Sequence, residues 1–496
     1  MSHSFVPAIS SLRPAAMLAA LILAGCSVAP VYERPAVAVP AAYKEAQAAD
    51  PAWKTAQPAE HEARGQWWSV FNDATLDGLQ VQASAANQNL KVGAARLAQS
   101  RALVENARSG LFPQIGVGAG PTRQRPSPAA LGLAPQATTS ASTLWRAQAT
   151  LAYEADLFGR VGATVDAAGA DFQRDTALFH SLQLAIQADV AQSYFMLREL
   201  DADQALYAST VDFRTQSLAL LSRRFEAGDI GEVDVARART ELAAAQSESL
   251  GIARRRALAE HALAILLGQS PAEFSLPASP LVRIAVSVPT GLPSELLERR
   301  PDIAAAERAM AAANARIGAA KAAFYPSLSI TGSAGLESNK LGDLFKWSSR
   351  TFLLGPLAGA ALSLPLFDGG ARRAQLQQAD AVYEEEVAKY RQTVLTAFGE
   401  VEDNLAGLRL LGQQIEAQDR AVEASTRAAR LSRIQYREGA VSFLDVIDAD
   451  RSVLLQRRVS VQLDGERARV TVNLIRAIGG GWVAPGAGNA ALYGVR

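Results

Sequence analysis

Phe225-Glu226-Ala227-Gly228, followed by Val233-Asp234-Val235 and Leu267-Gly268, returns later in the chain as Tyr436-Arg437-Glu438-Gly439, Leu444-Asp445-Val446 and Ile478-Gly479, each pair 211 positions apart. The offset does not change along the segment, so it was copied without a gap. Upstream, Leu111-Phe112-Pro113 matches Phe324-Tyr325-Pro326 at an offset of 213, and Leu157-Phe158-Gly159 matches Leu366-Phe367-Asp368 at 209. Self-similarity at so long a period marks a tandem duplication with small insertions.

Each copy reads helix, strand, loop, strand, long helix, tight turn, helix. The first occupies 66–270, with strands at about 113–123 and 143–158 and helices at about 160–226 and 231–268. The second occupies 292–482, with strands at about 326–337 and 352–367 and helices at about 370–437 and 442–479. A linker, 271–291, joins them. The chain has 22 prolines, yet none lies between Pro135 and Pro271 or between Pro365 and Pro485, where the long helices are expected. Val394, Phe398, Val401, Leu405, Leu408, Leu411 and Ile415 step by three or four, a seam that zips helices together. Leu182, Ile186, Val190, Tyr194, Leu197 and Leu200 do the same in the first copy. A helix over 160–226 runs for roughly 100 Å at 1.5 Å per residue, more than a globular domain is wide. Such helices make tubes or rods.

The strand segments alternate. In Trp145 to Leu157 the odd positions are apolar, while Arg146, Gln148, Thr150, Glu154 and Asp156 fall on the other face. Leu328, Ile330, Gly332 and Ala334 alternate with Ser327, Ser329, Thr331 and Ser333, and Ile115, Val117 and Ala119 with Gln114, Gly116 and Gly118. A half-buried sheet of a water-soluble protein and a membrane barrel both show this pattern. Gly116-Val117-Gly118-Ala119-Gly120 leads into Pro121 and a loop, which excludes a nucleotide-binding turn, since that requires a helix to follow.

The N-terminus tips the choice towards an outer-membrane barrel. Arg13 precedes an apolar run from Ala15 to Ala24, which ends in Leu23-Ala24-Gly25-Cys26. The run is too short to span a bilayer and suits a signal peptide, 1–25. Its small residues ahead of a cysteine resemble a bacterial lipobox, so Cys26 is expected to carry covalent lipid. Ser27, where an aspartate would suggest inner-membrane retention, resembles outer-membrane sorting. Residues 26–65, with Pro30, Pro35, Pro40, Pro51 and Pro58, read as an extended linker from that anchor. Residues 483–496 form a C-terminal tail.

No later stretch is apolar enough for a transmembrane helix, so any crossing must use strands. Four strands cannot close a membrane barrel, whose smallest form has about eight, and lipid does not tolerate unpaired strand edges. The chain must assemble. Two copies give eight strands with little interior, and three give twelve with room for a lumen. Composition alone leaves both open.

Lys plus Arg and Asp plus Glu both number 49, so there is no basic field to draw nucleic acid. Cys26 is the only cysteine, which excludes an internal disulfide. The four histidines, His3, His61, His180 and His261, stand far apart, and no metalloprotease, nucleophile-elbow or phosphate-loop pattern occurs. No enzyme, metal site or cofactor is expected beyond the lipid on Cys26.

Several blocks look like the signatures of one family: Gln66-Trp67-Trp68-Ser69-Val70-Phe71-Asn72-Asp73, Glu298-Arg299-Arg300-Pro301-Asp302-Ile303, Ala320-Lys321-Ala322-Ala323-Phe324-Tyr325-Pro326, Leu366-Phe367-Asp368-Gly369-Gly370 and Gly479-Gly480-Gly481-Trp482. They resemble the TolC-like outer-membrane factors, in the lipoprotein (NodT-type) branch that serves resistance-nodulation-division efflux systems. The resemblance covers about 27–482. It implies a mainly α fold with β: four transmembrane strands per chain, a twelve-stranded barrel in a homotrimer, and a periplasmic helical barrel of coiled-coil hairpins. It further implies a periplasmic adaptor and an inner-membrane pump as partners, outer-membrane lipid around the barrel, and passive conduction of drugs or other small toxic molecules. A type I protein-secretion duct and a non-channel coiled-coil lipoprotein are the alternatives.

Function is then expected at the tip turns around Gly228 and Gly439. Asp445 and Asp448 lie one turn apart on one helix face, and by resemblance match the acidic rings that constrict the aperture. Ser442-x-x-Asp445 is also a helix-capping pair, so Asp445 has a structural reading beside the functional one. Asp234 and Tyr436 resemble partners in a gate-closing link, whereas Val441 replaces an arginine found there in relatives.

Overall fold

The computed structural model describes residues 28–37, 39–40, 42–45, 66–283, 299–355 and 359–480. The signal peptide, Cys26 and the C-terminal tail lie outside the described residues, as do Glu298, Gly481 and Trp482. A short 3-10 turn, Trp67–Phe71, opens the first copy. The helices are α1 (Ala74–Ala86), α2 (Gln88–Ser109), α3 (Arg160–Glu226), α4 (Glu232–Leu266), α5 (Pro301–Ala322), α6 (Ala371–Arg437) and α7 (Phe443–Ala477). The strands are β1 (Gln114–Gln124), β2 (Ser142–Ala155), β3 (Ser327–Ser338), β4 (Arg350–Leu354) and β5 (Ala360–Ser363).

The duplication survives in the helices without slippage. Helices α3 and α6 both have 67 residues and α4 and α7 both have 35; each pair starts and ends 211 positions apart, as 371 minus 160 and 477 minus 266 show. No described helix is long and apolar enough to cross a membrane.

The chain divides into two units. One holds residues up to Ala36, Leu97–Asp175 and Ala306–Tyr390, and the other holds Val37–Arg96, Thr176–Ala305 and Arg391 onwards.

The first unit contains one antiparallel sheet in the order β1-β2-β3-β4, with β5 continuing on β3. Its register aligns the alternation of all the strands. Ile115 pairs with Leu151, Val117 with Ala149 and Pro121 with Trp145. Leu151 then pairs with Gly332, Ala147 with Leu336 and Tyr153 with Ile330. Ala334 pairs with Phe352, Gly332 with Leu354 and Leu328 with Leu362. Directly paired residues share a face, so one side of the sheet is apolar from edge to edge. The other side carries Gln114, Arg146, Gln148, Thr150, Glu154, Ser329, Ser333 and Glu337, with Arg146 bonded to Glu337 at 2.8 Å.

The fourth strand, read from the sequence as 352–367, is broken. Thr331 N–H donates to Gly359 O at 2.7 Å and Thr331 O accepts from Gly355 N–H at 3.2 Å, so one residue of β3 spans the whole interval between β4 and β5. Gly359 sits at φ 99°, outside the extended conformation of a strand, which glycine allows.

In the second unit a core gathers Trp67, Trp68, Leu76, Leu79, Tyr194, Leu197, Leu263, Leu267, Val472 and Ile475. The expected seams are inside: Ile186, Val190, Tyr194, Leu197 and Leu200 are buried on α3, and Val394, Phe398, Val401, Leu411 and Ile415 on α6. Helix α1 starts on Asp73, whose carboxylate accepts from Thr75 N–H at 2.9 Å and from the Tyr194 hydroxyl at 2.5 Å. Arg300 is buried among the helix ends. It donates to Asp302 at 2.6 and 3.0 Å, to Glu400 of α6 at 2.6 Å and to the carbonyl of Ala477, the last residue of α7, at 3.0 Å.

The described residues between 28 and 45 are docked. In the first unit the Tyr32 hydroxyl donates to Glu307 at 2.6 Å, Arg34 donates to the Tyr390 hydroxyl at 3.1 Å, and Ala29 lies so close to Gly318 that an added Cβ there would sit 2.6 Å from its methyl. In the second unit Tyr43 is buried, and the N–H groups of Lys44 and Glu45 both donate to the Glu402 carboxylate.

Candidate aperture at the hairpin tips

Each long helix stops on a glycine in the left-handed region: Gly228 at φ 82° and Gly439 at φ 75°. Asp229 N–H then donates to Arg224 O and Ala440 N–H to Gln435 O, both at 2.9 Å, closing the last carbonyls of α3 and α6. A Cβ at either glycine would meet nothing within 4 Å, so backbone conformation alone demands glycine there.

The returning helices begin differently. Ser442 precedes α7, and both its N–H (2.9 Å) and its hydroxyl (2.7 Å) donate to the Asp445 carboxylate. These bonds favour the charged form and hold the carboxyl below its ordinary pKa. In the first copy Gly231 stands where Ser442 does and has no side chain to contribute; Asp234 lies 3.8 Å from Arg237 instead. At the 211 offset Arg237 is also the counterpart of Asp448. The second hairpin is therefore the acidic one.

Asp448 is 61% exposed and lies 3.3 Å from Arg451. Arg451 reaches in turn to Glu241 of α4 at 2.9 Å. Glu241 is 9% exposed, and its carboxylate also bonds Arg214 of α3 at 2.9 Å. A buried carboxylate between two guanidinium groups thus links α3, α4 and α7, and Asp448 flanks the outer arginine. Tyr436 accepts from Arg224 of α3 at 3.3 Å, with that guanidinium over its ring. Arg433 lies over the Phe213 ring and bonds Asp450 at 2.7 Å; burial pushes the Asp450 carboxyl up, against the pull of that arginine.

The structure brings Asp445 and Asp448 together on the exposed side of α7. It does not join Asp234 to Tyr436 within one chain: among the described residues Tyr436 is held by Arg224, and Asp234 by Arg237. The sequence reading missed Arg214, Glu241 and Arg451. The i, i+3 spacing of Asp448 and Arg451 was visible, but nothing in the sequence marked Glu241 as buried.

The profile of outer membrane efflux proteins matches residues 79–269 and again 292–480, one match for each copy. The chain belongs to the outer membrane efflux protein family. It is an outer-membrane efflux channel, and not an enzyme. The probable efflux pump outer membrane protein TtgC of Pseudomonas putida is 35% identical over 471 residues, 93% of this chain and 94% of its own length. The outer membrane protein OprJ of Pseudomonas aeruginosa is 36% identical over 469 residues, 94% and 95% of the two chains. Among solved structures, the outer-membrane channel OprN superposes with a TM-score of 0.81 at 31% identity, covering 92% of this chain and all of that one.

Proposed function

We propose that three copies of this chain close a twelve-stranded barrel and form the passive exit duct of a tripartite pump, tethered to the outer membrane by lipid on Cys26. The observation that carries the reading is the sheet: four strand positions, one continuous apolar face and two open edges. The whole of β1 is exposed, and at the other edge so are Phe352, Leu353 and Leu354. Closure by copies satisfies those edges, turns the apolar face to lipid and leaves the polar face around a lumen. A periplasmic adaptor and an inner-membrane pump of the resistance-nodulation-division type supply cargo and energy. The cargo is whatever small toxic molecule the pump delivers.

Asp445 and Asp448 then form two rings of three carboxylates at the tip, where they concentrate cations. In planar bilayers the Asp448→Asn protein is expected to lose cation preference and keep its thermal stability. Asp445→Asn is expected to lose both, because the same carboxylate caps α7. Wild-type protein that opens no pores at all overturns the duct, and unchanged selectivity in both variants overturns the rings.

Lipidation has its own test. Mature protein is expected to incorporate radioactive palmitate and Cys26→Ser to lose that label; equal labelling of both rules the anchor out. Two or more acyl chains hold a protein firmly where one alone does so marginally.

A further inference from the structure

The end of the sheet remote from the helices has a charge pattern that the channel reading does not use. Strand β1 follows α2 directly and β2 leads directly into α3, so the β1–β2 and β3–β4 connections share the opposite end. In residues 121–146 and 336–351, which make that end, the cations are Arg123, Arg125, Arg146, Lys340, Lys346 and Arg350, and the anions are Glu337 and Asp343. Six minus two leaves a net charge of +4 in a chain whose total is zero. The helix-proximal end, 105–116, 152–160, 322–333 and 363–373, carries four of each sign and balances.

Both anions are already taken. Glu337 bonds Arg146 at 2.8 Å and Asp343 bonds Lys346 at 2.6 Å. Among the described residues Arg123, Arg125 and Arg350 form no ion pair, Lys340 acts on Asp343 only at longer range than Lys346 does, and all four are exposed. Two of them mark the edge of the apolar face. Arg123 continues the Ile115, Val117, Ala119, Pro121 series on β1, and Arg350 pairs with Leu336 of that face.

Beside these cations the β3–β4 connection exposes Phe345 at 79% and Trp347 at 76%. Their exposure is built in. Leu344 and Ser349 are buried, Ser349 Oγ donates to Asp343 O at 2.6 Å, and backbone bonds from Asp343, Lys346 and Ser349 close two short helical turns. Arg350 lies over the Trp347 ring. A folded loop that holds two large aromatic rings out among unpaired cations matches a surface with phosphate at its polar boundary and acyl chains beneath it.

We propose that this end of the sheet binds a phosphate-bearing lipid of the outer leaflet, with Arg123, Lys340 and Arg350 on the phosphates and Phe345 and Trp347 in the acyl boundary. The proposal rests on the barrel reading, which puts this end outside and the apolar face in lipid. Arginine and lysine near an anionic leaflet act additively, so losing three is a large change.

Full-length protein in detergent is titrated with bis-phosphorylated lipid A and with its dephosphorylated form, and binding is read by native mass spectrometry. The phosphorylated form is expected to bind about tenfold or more tightly, and the combined variant Arg123→Gln, Lys340→Gln, Arg350→Gln to fall to the level of the dephosphorylated lipid. Trp347→Ser is expected to weaken both lipids alike. Equal binding of the two forms, or a triple variant that binds as wild type does, overturns the proposal. So does displacement by inorganic phosphate at the same concentration, which assigns the site to a free anion. Conductance in neutral phosphatidylcholine bilayers is measured on the same preparations. A failure to conduct there counts against the duct and leaves the lipid comparison to be judged separately.

Discussion

Arg300→Ala is expected to lower stability by about 3 kcal/mol and to reduce the yield of folded protein, even though Arg300 is far in sequence from the tip. Arg300 is 8% exposed, and a single plane of donors serves Asp302, Glu400 and the Ala477 carbonyl. Burial opposes its charge, but the two carboxylates outweigh that and hold the group protonated. Removing it leaves two carboxylates facing each other and one helix-end carbonyl without a donor. Glu400 and Asp302 are each about one-third exposed, with side chains at 35% and 33%, so water recovers part of the loss, and the estimate sits at the low end for breaking a buried ion pair. Arg300→Lys is expected to recover less than half, because one ammonium cannot reproduce the fork. Unfolding of a membrane channel is commonly irreversible, so the measure is the thermal half-life of the purified protein at fixed temperature. A half-life equal to wild type would show that the cluster contributes nothing.

That residue also shows what a sequence does and does not reveal. The Arg-Pro-Asp block was legible as a signature, but two of the partners of Arg300 lie 100 and 177 positions away and no local pattern announces them. The duplication was legible because it is long, ungapped over the helical hairpins and anchored on glycines at their turns. The alternation of the strands was legible too, and the register then showed that separate alternations belong to one face. Two features were hidden. The segment after Cys26 read as a linker because Tyr32, Arg34 and Tyr43 follow no helical or strand period; yet Tyr32 docks on α5, Arg34 on α6, and Tyr43 is buried. The charges of the α3 midsection carry no local sign of burial, yet Arg198, Glu199, Asp201 and Asp203 are all buried, and the first three are paired with residues from α4, α7 and the inter-repeat linker. Burial of a charge depends on what arrives from elsewhere. At the tip both readings of Asp445 were available at the outset, and the cap is the one with hydrogen bonds in a single chain.

The sheet supplies the sharpest test, because a single methyl group separates two outcomes. Gly335 and Gly118 both lie on the polar face, each paired directly with Gln148 from opposite sides. A Cβ on Gly118 meets nothing within 4 Å, whereas a Cβ on Gly335 would sit 2.1 Å from the Ala147 carbonyl oxygen and 2.6 Å from the Gln148 Cα. Both obstacles are backbone, so no rotamer change relieves them, and the β2–β3 ladder must open. Gly335→Ala is therefore expected to cost about 3 kcal/mol, the upper end for an overpacked site, and Gly118→Ala close to nothing. In a barrel closed by copies the cost is repeated at every equivalent ladder, because each chain brings its own. Gly335→Ala protein should accumulate as protease-sensitive monomer and be depleted from the outer-membrane fraction, while Gly118→Ala yields heat-dissociable oligomer at the wild-type level. If Gly335→Ala assembles normally, β2 and β3 are not held in this register, and the apolar face that makes the sheet a membrane wall would have to be drawn through different residues.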